Sequence, residues 1–597
     1  MMEPLQILES DSHGGSAVLL AATCAVAALG GLAFGYALAV PSGALPHLRD
    51  RFLLSSAQQE LAVGAALAGA LVASFLGGPL LDRLGRRAAV GCSGALLVTG
   101  STFLACAPSY AALLGGRAVV GAAIAASSVA TCVYVAEVAH PRRRGALVSA
   151  YELGVTGGVL AAYAANLVLG RGPGETVGGV APWRWMFGLC CVPALAQVML
   201  LVACLPASPR SLLRCGQAEA AERTLRRILG QQDVSADIDA LRSSLEMEKQ
   251  YSVLDLLRRK DNMRTRMLIG GGLVTFQQLT GQPTVLFYAA SVFRAAGYRG
   301  EASALLASVG LGLVKVAATS VAVAVVDRVG RRRSLLAGSV AMALSLAAVA
   351  AATSGLGDAA GGNTSAVASG GNDTMGGESG GLSRSAASLA RLFLSSVERG
   401  QRGSRLDGNT FIFVFLLCSK PSPPVIIPSP SCHCGAGAGP SWANWTHVED
   451  GGVSVGPTAR WASLLAILAF VGAFSLSYGP MTWVLLSEIF PAGIKGRAIA
   501  VTTSLNWGIN LVVSLVFLDI IECLGLSTTF LLYAIMGVVS VVFVNAFVPE
   551  TKGQTLEEIS QQLNSTHTRA LWCCGDAKRR QNHEEVQYRR LDGCAPL

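Results

Sequence analysis

Charged residues are scarce in this sequence. Asp, Glu, Lys and Arg make up 14% of its 597 residues, whereas a soluble globular protein carries about 25%. Hydrophobic residues make up 52%, and the mean hydropathy is +0.50. This composition excludes an ordinary soluble protein and predicts a polytopic membrane protein.

The sequence also lacks the motifs of enzymes and of ATP-driven pumps. It has no P-loop, and no nucleophile–base pair or metal cluster falls in one place. Its 15 cysteines are scattered, and Cys432-His433-Cys434 has no second pair to complete a metal site. The first apolar run is long and has no convincing cleavage site, so we expect no secretory signal peptide. We predict no catalytic residue, no metal and no cofactor.

Apolar windows of about 20 residues, the length that crosses a bilayer, predict twelve transmembrane helices. Six precede a charged stretch at residues 206–265 and six follow it. We number them spans 1 to 12, at residues 16–40, 58–81, 88–107, 112–137, 146–169, 183–205, 266–290, 303–326, 334–353, 459–484, 498–521 and 526–547.

Basic residues in the short loops predict the orientation. The loops after spans 2, 4, 8 and 10 hold twelve Lys or Arg residues, and the short loops of the opposite side hold six. The positive-inside rule therefore places both termini in the cytosol. The net charge of +9 reflects this bias, so we expect the lipid bilayer, and not nucleic acid, as a partner.

Three motifs occur once in each group of six spans. DRLGRR at 82–87 matches DRVGRR at 327–332, Glu137 matches Glu488, and PASPR at 206–210 matches PETKG at 549–553. The chain is therefore predicted to be a duplicated six-helix unit, the pattern of an alternating-access carrier. We interpret the charged residues as a cytosolic salt-bridge network that braces the halves in the outward-open state, although topology signals alone would explain the arginines. Its members are Asp82, Arg83, Arg86, Arg87, Glu137, Arg144, Asp327, Arg328, Arg331, Arg332, Glu488 and Lys495.

The pattern predicts five parts of the chain. The two halves cover residues 16–205 and 266–547, a helical cytosolic linker at 206–265 joins them, and cytosolic tails cover 1–15 and 548–597. A long polar loop at 354–458 interrupts the second half on the outer side. It holds the sequons Asn363-Thr-Ser, Asn372-Asp-Thr and Asn444-Trp-Thr, where we expect N-glycosylation.

Span 7 carries an unusual polar stretch, FQQLTGQPTVLFY at residues 276–288. A buried amide without a partner costs several kcal/mol by order of magnitude in lipid, so Gln277 and Gln278 should face a cavity or a polar ligand. Neutral amides suit a neutral ligand rich in hydroxyl groups. Gly281 and Pro283 should loosen the helix beside them. The alternative is that the two glutamines only bond helix to helix.

Together these residues resemble the sugar porter branch of the major facilitator superfamily. The resemblance rests on the paired loop motifs, on QQLTG at 277–281, on GPMTW at 479–483 and on Asn506-Trp507. The short first outer loop and the long loop after span 9 resemble the class III facilitative glucose transporters. Residues 251–266, 280–283 and 504–510 indicate a likeness to one member of that class.

The resemblance implies a major facilitator fold of two six-helix halves, with a hexose site between them. Gln277 and Gln278 match the pair that hydrogen-bonds sugar hydroxyls, and Trp483 matches a tryptophan that lies against the sugar. Gly479 and Pro480 imply a point where span 10 bends as a gate. Other matched positions are Phe474, Asn506 and Trp507.

Four positions depart from the family pattern, so the resemblance does not imply the family's affinity or sugar preference for this chain. Tyr163 stands where the family has Gln, Lys315 where it has Asn, and Ser475 where it has Glu. Pro283 replaces an Asn, leaving Gln282 and Thr284 as nearby substitutes. We expect Lys315 to line the cavity, with Glu152 as a candidate partner, rather than to snorkel, because it lies near mid-span. Ala207 replaces the usual Glu of the PASPR motif, which weakens one cytosolic ion pair.

The resulting hypothesis is a secondary carrier, not an enzyme, that moves a hexose such as D-glucose down its gradient. Proton-coupled sugar or polyol symport and a non-transporting sugar sensor are the alternatives. Proton-coupled relatives carry Asp after Phe-Gly-Tyr in span 1, and here Ala37 follows Phe34-Gly35-Tyr36, which disfavours symport. We expect residence in the plasma membrane or in perinuclear or vesicular endomembranes; the sequence is silent on oligomeric state.

Overall fold

The computed structural model describes most of the membrane-spanning chain. The described residues are 17–139, 144–170, 176–229, 233–249, 255–256, 262–298, 300–365, 457–491, 493–554, 558–559 and 562–563. Within these helices, side chains are not described at 17, 78–83, 144–146, 148, 247–249, 326–327 and 355–365.

The described residues are helical, and no β-strand occurs among them. In chain order the helices are α1 (Ala17–Ala39), α2 (Pro41–Phe52), α3 (Ser56–Leu84), α4 (Arg86–Ala105), α5 (Tyr110–Val138), α6 (Arg144–Leu169), α7 (Pro182–Gly188), α8 (Cys191–Cys204), α9 (Pro209–Arg214), α10 (Ala218–Leu229), α11 (Ser235–Lys249), α12 (Met263–Leu279), α13 (Gln282–Phe287), α14 (Ala289–Ala295), α15 (Glu301–Val329), α16 (Arg331–Ser365), α17 (Pro457–Leu476), α18 (Tyr478–Ile489), α19 (Lys495–Leu515) and α20 (Phe517–Phe547).

Eleven helical segments in the described part of the chain are long and apolar enough to cross a membrane. They coincide with the predicted spans except span 7, which is divided among α12, α13 and α14. Gly281 causes the first break, because it adopts the left-handed conformation at φ 83° that other residues avoid. Pro283 follows in the first turn of α13, where its missing N–H needs no partner. The predicted loosening of span 7 is therefore seen at the expected residues.

Spans 11 and 12 divide differently from the sequence prediction. The chain breaks after α19 at Val516, and α20 contains Gly525 at φ 78°, ψ 162°, which is not helical. Span 11 therefore consists of α19 and residues 517–524, and span 12 begins after Gly525. The predicted end of span 11 therefore lies three residues before Leu524, at the point where the charged Glu522 interrupts the apolar run.

Glycine allows the closest helix contacts in the N-terminal half. A Cβ atom on Gly35 of α1 would collide with the carbonyl oxygen of Val155 on α6. A Cβ atom on Gly121 of α5 would collide with that of Ala66 on α3. Lipid supplies little hydrophobic drive between helices, so such backbone approach is what holds them together. At these positions only glycine fits.

Three short helices occupy the region of the predicted cytosolic linker. In α10 and α11, Ala221, Leu225 and Ile238 form a small apolar core with Val234. Asp233 accepts the backbone N–H of Ser235 at the start of α11, with a 3.0 Å separation between Oδ1 and N. That bond stabilises the carboxylate and lowers the pKa of Asp233.

The chain divides into two compact units, one of residues 1–357 and 455–597 and the other of residues 358–454. In the second unit, only the backbone of 358–365, the end of α16, is described. Asn363 lies there without a described side chain, and Asn372 and Asn444 lie outside the described residues.

A methyl group added at Gly121 should destabilise the packing of α3 on α5. Overpacking of this kind costs about 1–3 kcal/mol, so Gly121→Ala should lower the thermal unfolding midpoint of the detergent-solubilised protein by several degrees. Gly115→Ala on the same helix is the matched control, because a Cβ atom there meets no heavy atom within 4 Å. Equal midpoints for the two variants would contradict the proposed packing.

Candidate functional site

Gln277 joins three predicted spans through its side-chain amide. Its Nε2 donates to the carbonyl oxygen of Tyr478 in α18 at 3.0 Å, and its Oε1 accepts from Asn506 Nδ2 in α19 at 2.9 Å. Gln277 and Asn506 are both buried. Span 7 is therefore tied to spans 10 and 11 at its polar stretch, and Gln277 fits the helix-to-helix interpretation.

Gln278 behaves differently from its neighbour. It is 6% exposed, and its Oε1 has no hydrogen-bond partner among the described residues. A buried acceptor left unpaired costs about 1–3 kcal/mol, which a ligand hydroxyl or a water molecule would remove. Of the two interpretations of the glutamine pair, Gln278 therefore fits the ligand-facing one.

The break in span 10 lies beside two further unpaired hydroxyl groups. Ser475 Oγ and Thr482 Oγ1 are buried without a partner in the described part of the chain, on either side of the non-helical residue Ser477. Pro480 has no N–H for the carbonyl of Leu476, which instead accepts from Ser334 Oγ at 3.2 Å. The structure thus bends span 10 next to the predicted gating residues Gly479 and Pro480.

Phe474 and Lys315 contact each other near this break. Lys315 Nζ lies 5.6 Å from the centroid of the Phe474 ring, and both residues are buried. Such a cation–π contact stabilises a buried ammonium group. Glu152 of α6 is a charged neighbour of Lys315, but no salt bridge within 4 Å joins them in the described chain. Lys315 therefore faces the protein interior and does not snorkel.

Tyr163 and Thr284 each donate a hydrogen bond to a backbone carbonyl group. Tyr163 OH donates to the carbonyl oxygen of Leu286 in α13 at 2.8 Å, which joins the two halves. Thr284 Oγ1 donates to the carbonyl oxygen of Gly281 at 2.7 Å and so stabilises the turn at the break of span 7. Gln282 is half-buried beside it.

Trp507 and Trp483 lie on the helices that Gln277 joins. The rings of Trp507 and Phe34 lie 6.1 Å apart between centroids, so span 11 packs on span 1 of the other half. Trp483 is half-buried in α18.

Sequence reasoning missed Asn510, which is 6% exposed and accepts from Ser514 Oγ at 3.2 Å. Its spacing of four from Asn506, one helical turn, was the available signal.

The repeated charged motifs form two matching networks. Arg86 Nε lies 3.2 Å from Glu137 Oε1, and Ser208 Oγ donates to the other carboxylate oxygen. In the second half, Arg331 Nη2 lies 3.1 Å from Glu488 Oε1, and Thr551 Oγ1 donates to Oε2 at 2.6 Å. Each of these pairs lies within one half.

The match extends to the next arginine of each motif. Arg87 donates to the carbonyl oxygen of Val202 at 3.0 Å, and Arg332 donates to that of Asn545 at 2.9 Å. Lys495 begins α19, and the backbone oxygen of Arg328 accepts from Lys552. The side chains of Asp82, Arg83, Arg144 and Asp327 lie outside the described residues.

The two networks differ at one position. Glu550 Oε1 accepts the backbone N–H of Arg331 at 3.0 Å and so caps α16. Ala207 occupies the matching place in the first half and has no side-chain oxygen. The predicted weakening at Ala207 therefore amounts to the loss of a helix cap at α4.

Arg117 is a buried cation in span 4 and is 3% exposed. Its Nε donates to the carbonyl oxygen of Ala62 at 3.1 Å, and its Nη1 donates to that of Ala37 at 3.3 Å. No carboxylate lies within 4 Å of it among the described residues. Backbone carbonyls thus bind the Arg117 guanidinium, and one of them belongs to Ala37, the position where proton-coupled relatives carry an Asp.

Comparisons with known proteins agree with this architecture. Residues 23–369 and 444–563 match the family model "Sugar (and other) transporter". The chain is 42% identical over 585 residues to facilitated glucose transporter member 10 of Mus musculus, covering 96% of this chain and 98% of the relative. It is 39% identical over 546 residues to member 12 of Homo sapiens, covering 90% and 84%.

Solved structures show the same fold. The xylose transporter XylE from E. coli, in a partially occluded inward-open conformation, superposes with a TM-score of 0.64 at 25% identity, covering 90% of this chain and 99% of XylE. Its inward-open form gives a TM-score of 0.62. The chain is therefore a member of the sugar transporter family with the major facilitator fold.

Proposed function

We propose that this protein is a facilitative hexose transporter that carries D-glucose across a membrane by alternating access. The observation that carries the proposal is the buried, unpaired Oε1 of Gln278, at the break of span 7 in a chain of this family. The printed names of members 10 and 12, both facilitated glucose transporters, support the same substrate class.

In this proposal the sugar supplies the partners that the protein lacks. Gln278 Oε1 accepts from a sugar hydroxyl, and the hydroxyls of Ser475 and Thr482 take others, since each is buried without a partner among the described residues. The indole of Trp483 offers a flat apolar face and an N–H donor. Gln277 and Asn506 hold spans 7, 10 and 11 together, so their amide groups keep the sugar-binding residues of these spans close to one another.

Bending of span 10 at residues 477–480 then opens and closes the site. The two halves, 16–205 and 266–547, alternate around it, joined by the linker at 206–265. The loop arginines place both termini in the cytosol, so the loop at 354–458 faces outward with glycans at Asn363, Asn372 and Asn444. We propose residence in the plasma membrane or in endomembranes.

Passive uniport is the form of transport that the described residues support. The backbone oxygens of Ala62 and Ala37 hold Arg117, and no carboxyl group lies within 4 Å of it among the described residues to exchange a proton with it. One observation favours the alternative of proton symport. Glu152 and Lys315 carry opposite charges on α6 and α15, which belong to different halves, without a direct salt bridge in the described chain. A proton moving onto this pair would couple to the motion of the halves.

Loss of the Gln278 amide should weaken sugar binding. Gln278→Leu removes one hydrogen bond to the sugar, and a bond worth about 1.4 kcal/mol corresponds to a tenfold change. We expect the KM for 2-deoxyglucose uptake into proteoliposomes to rise about tenfold. Gln197→Leu is the matched control, because Gln197 in α8 is also a buried amide whose Oε1 lacks a partner among the described residues, while its Nε2 bonds the Val26 carbonyl within the first half. An unchanged KM in Gln278→Leu would remove Gln278 from the site.

A proton gradient separates uniport from symport. Uptake into proteoliposomes should be equal with and without an inward proton gradient, because no carboxyl group accompanies Arg117. Lys315→Asn should change the KM but should create no gradient dependence. Gradient-stimulated uptake that disappears in Lys315→Asn would instead establish symport through the Lys315–Glu152 pair. Sugar binding without any uptake would favour the sensor.

A further inference from the structure

Glu60 lies at the boundary between the halves, at the predicted outer end. It belongs to the first turns of α3 and is 1% exposed. Its Oε1 accepts two backbone N–H groups of the other half, from Leu518 at 2.5 Å and from Asp519 at 3.4 Å. These two donors lie in the first turn of α20.

The start of α20 has no cap of its own. Val516 precedes it and supplies no side-chain acceptor, whereas the first N–H groups of a helix need partners from outside the helix. A carboxylate is the preferred occupant, because it also neutralises the positive end of the helix dipole. Glu60 thus supplies from one half the cap that the helix of the other half lacks.

Other bonds between the halves lie at the same end. Ser56 Oγ donates to the Glu522 carboxylate one turn before Glu60, and the backbone N–H of Ala290 donates to Ser42 Oγ at 3.1 Å. The Arg–Glu pairs of the cytosolic motifs, by contrast, each lie within one half. The halves are therefore closed at the predicted outer end, as in an inward-facing carrier.

We propose that Glu60 is an outer-gate latch, a positioning residue that stabilises the inward-facing state by capping α20 across the gap. The inference rests on the proposed transport function, because a gate has meaning only for a carrier. When the outer end opens, the carboxylate and both N–H groups separate and water replaces each partner. Glu60 does not contact the sugar, so it acts on the equilibrium between the two states of the carrier.

Directional kinetics test the latch. Removing it with Glu60→Ala should populate the outward-facing state, so the KM for sugar entry should fall and the KM for sugar exit should rise. Apparent affinity scales with the fraction of the binding-competent state, so shifts of up to about tenfold are expected. Glu60→Gln keeps an acceptor oxygen but removes the charge, and should give smaller shifts in the same directions. Glu60→Gln also tests the latch if Glu60→Ala folds poorly.

Asp50→Asn is the control for charge at the outer end. The Asp50 carboxylate bonds Arg49 of its own helix, and it reaches Arg294 of the other half only through a charge interaction without a hydrogen bond or salt bridge in the described chain. This variant should shift both KM values much less than Glu60→Ala does. Unchanged values in Glu60→Ala, or shifts of the same sign for entry and exit, would overturn the latch.

Hydrogen exchange of the sugar-free protein in nanodiscs gives a readout that does not depend on transport. If Glu60 holds the gate, Glu60→Gln should speed amide exchange at residues 517–522 and also at Ala290, which bonds Ser42 elsewhere at the outer end. Faster exchange at 517–522 alone would show only a local helix cap and would overturn the proposal.

The same kinetic data separate the latch from the proposed function. In a passive uniporter, Vmax/KM is equal for entry and exit, because net flux vanishes at equal concentrations. Unequal ratios in the unmodified protein would contradict uniport, whereas equal ratios with unshifted KM values in Glu60→Ala would contradict the latch alone.

Discussion

Every polar group inside a lipid-embedded helical protein needs a partner, and this constraint shapes the structure at each point where a span breaks. At the break of span 10, the Leu476 carbonyl freed by Pro480 accepts from Ser334. At the break of span 11, Glu60 caps the uncapped start of α20. At the break of span 7, Thr284 bonds the carbonyl of Gly281. At each of these breaks a side chain bonds the backbone.

Three of the buried polar groups that lack a partner lie beside these breaks. Gln278, Ser475 and Thr482 are buried beside the breaks of spans 7 and 10, and each keeps a polar atom without a partner in the described part of the chain. Their chemistry suits a ligand that can both donate and accept hydrogen bonds. In the proposed function these groups bind the sugar at the breaks of spans 7 and 10.

The duplicated motifs show how one local chemistry is used twice. The Arg86–Glu137–Ser208 group and the Arg331–Glu488–Thr551 group have the same bonds in the same order. The networks lie within halves and the described bonds between halves lie at the other end, so in the proposed transport cycle each half would move as a braced body. Such an arrangement makes the interface between halves, and not the halves themselves, the two-state element.

The sequence by itself determined the helical membrane architecture, the duplication, and the residues that interrupt spans 7 and 10. Local rules suffice for these features, because hydropathy, Gly281 and Pro480 act on the chain segment that contains them. The boundary between spans 11 and 12 at Gly525 differed from the prediction, because one glycine in an apolar run does not by itself mark a turn.

Only the tertiary structure decided which of two adjacent glutamines is satisfied within the protein. Gln277 and Gln278 are identical in type, and the difference arises because Asn506 and the Tyr478 carbonyl, more than 200 positions away in the chain, approach only Gln277. Tyr163 likewise bonds the Leu286 backbone of the other half, a partner that the sequence did not indicate. The partner of Glu60 was likewise invisible in the sequence, because a backbone N–H carries no residue identity and its proximity depends on how the two halves meet.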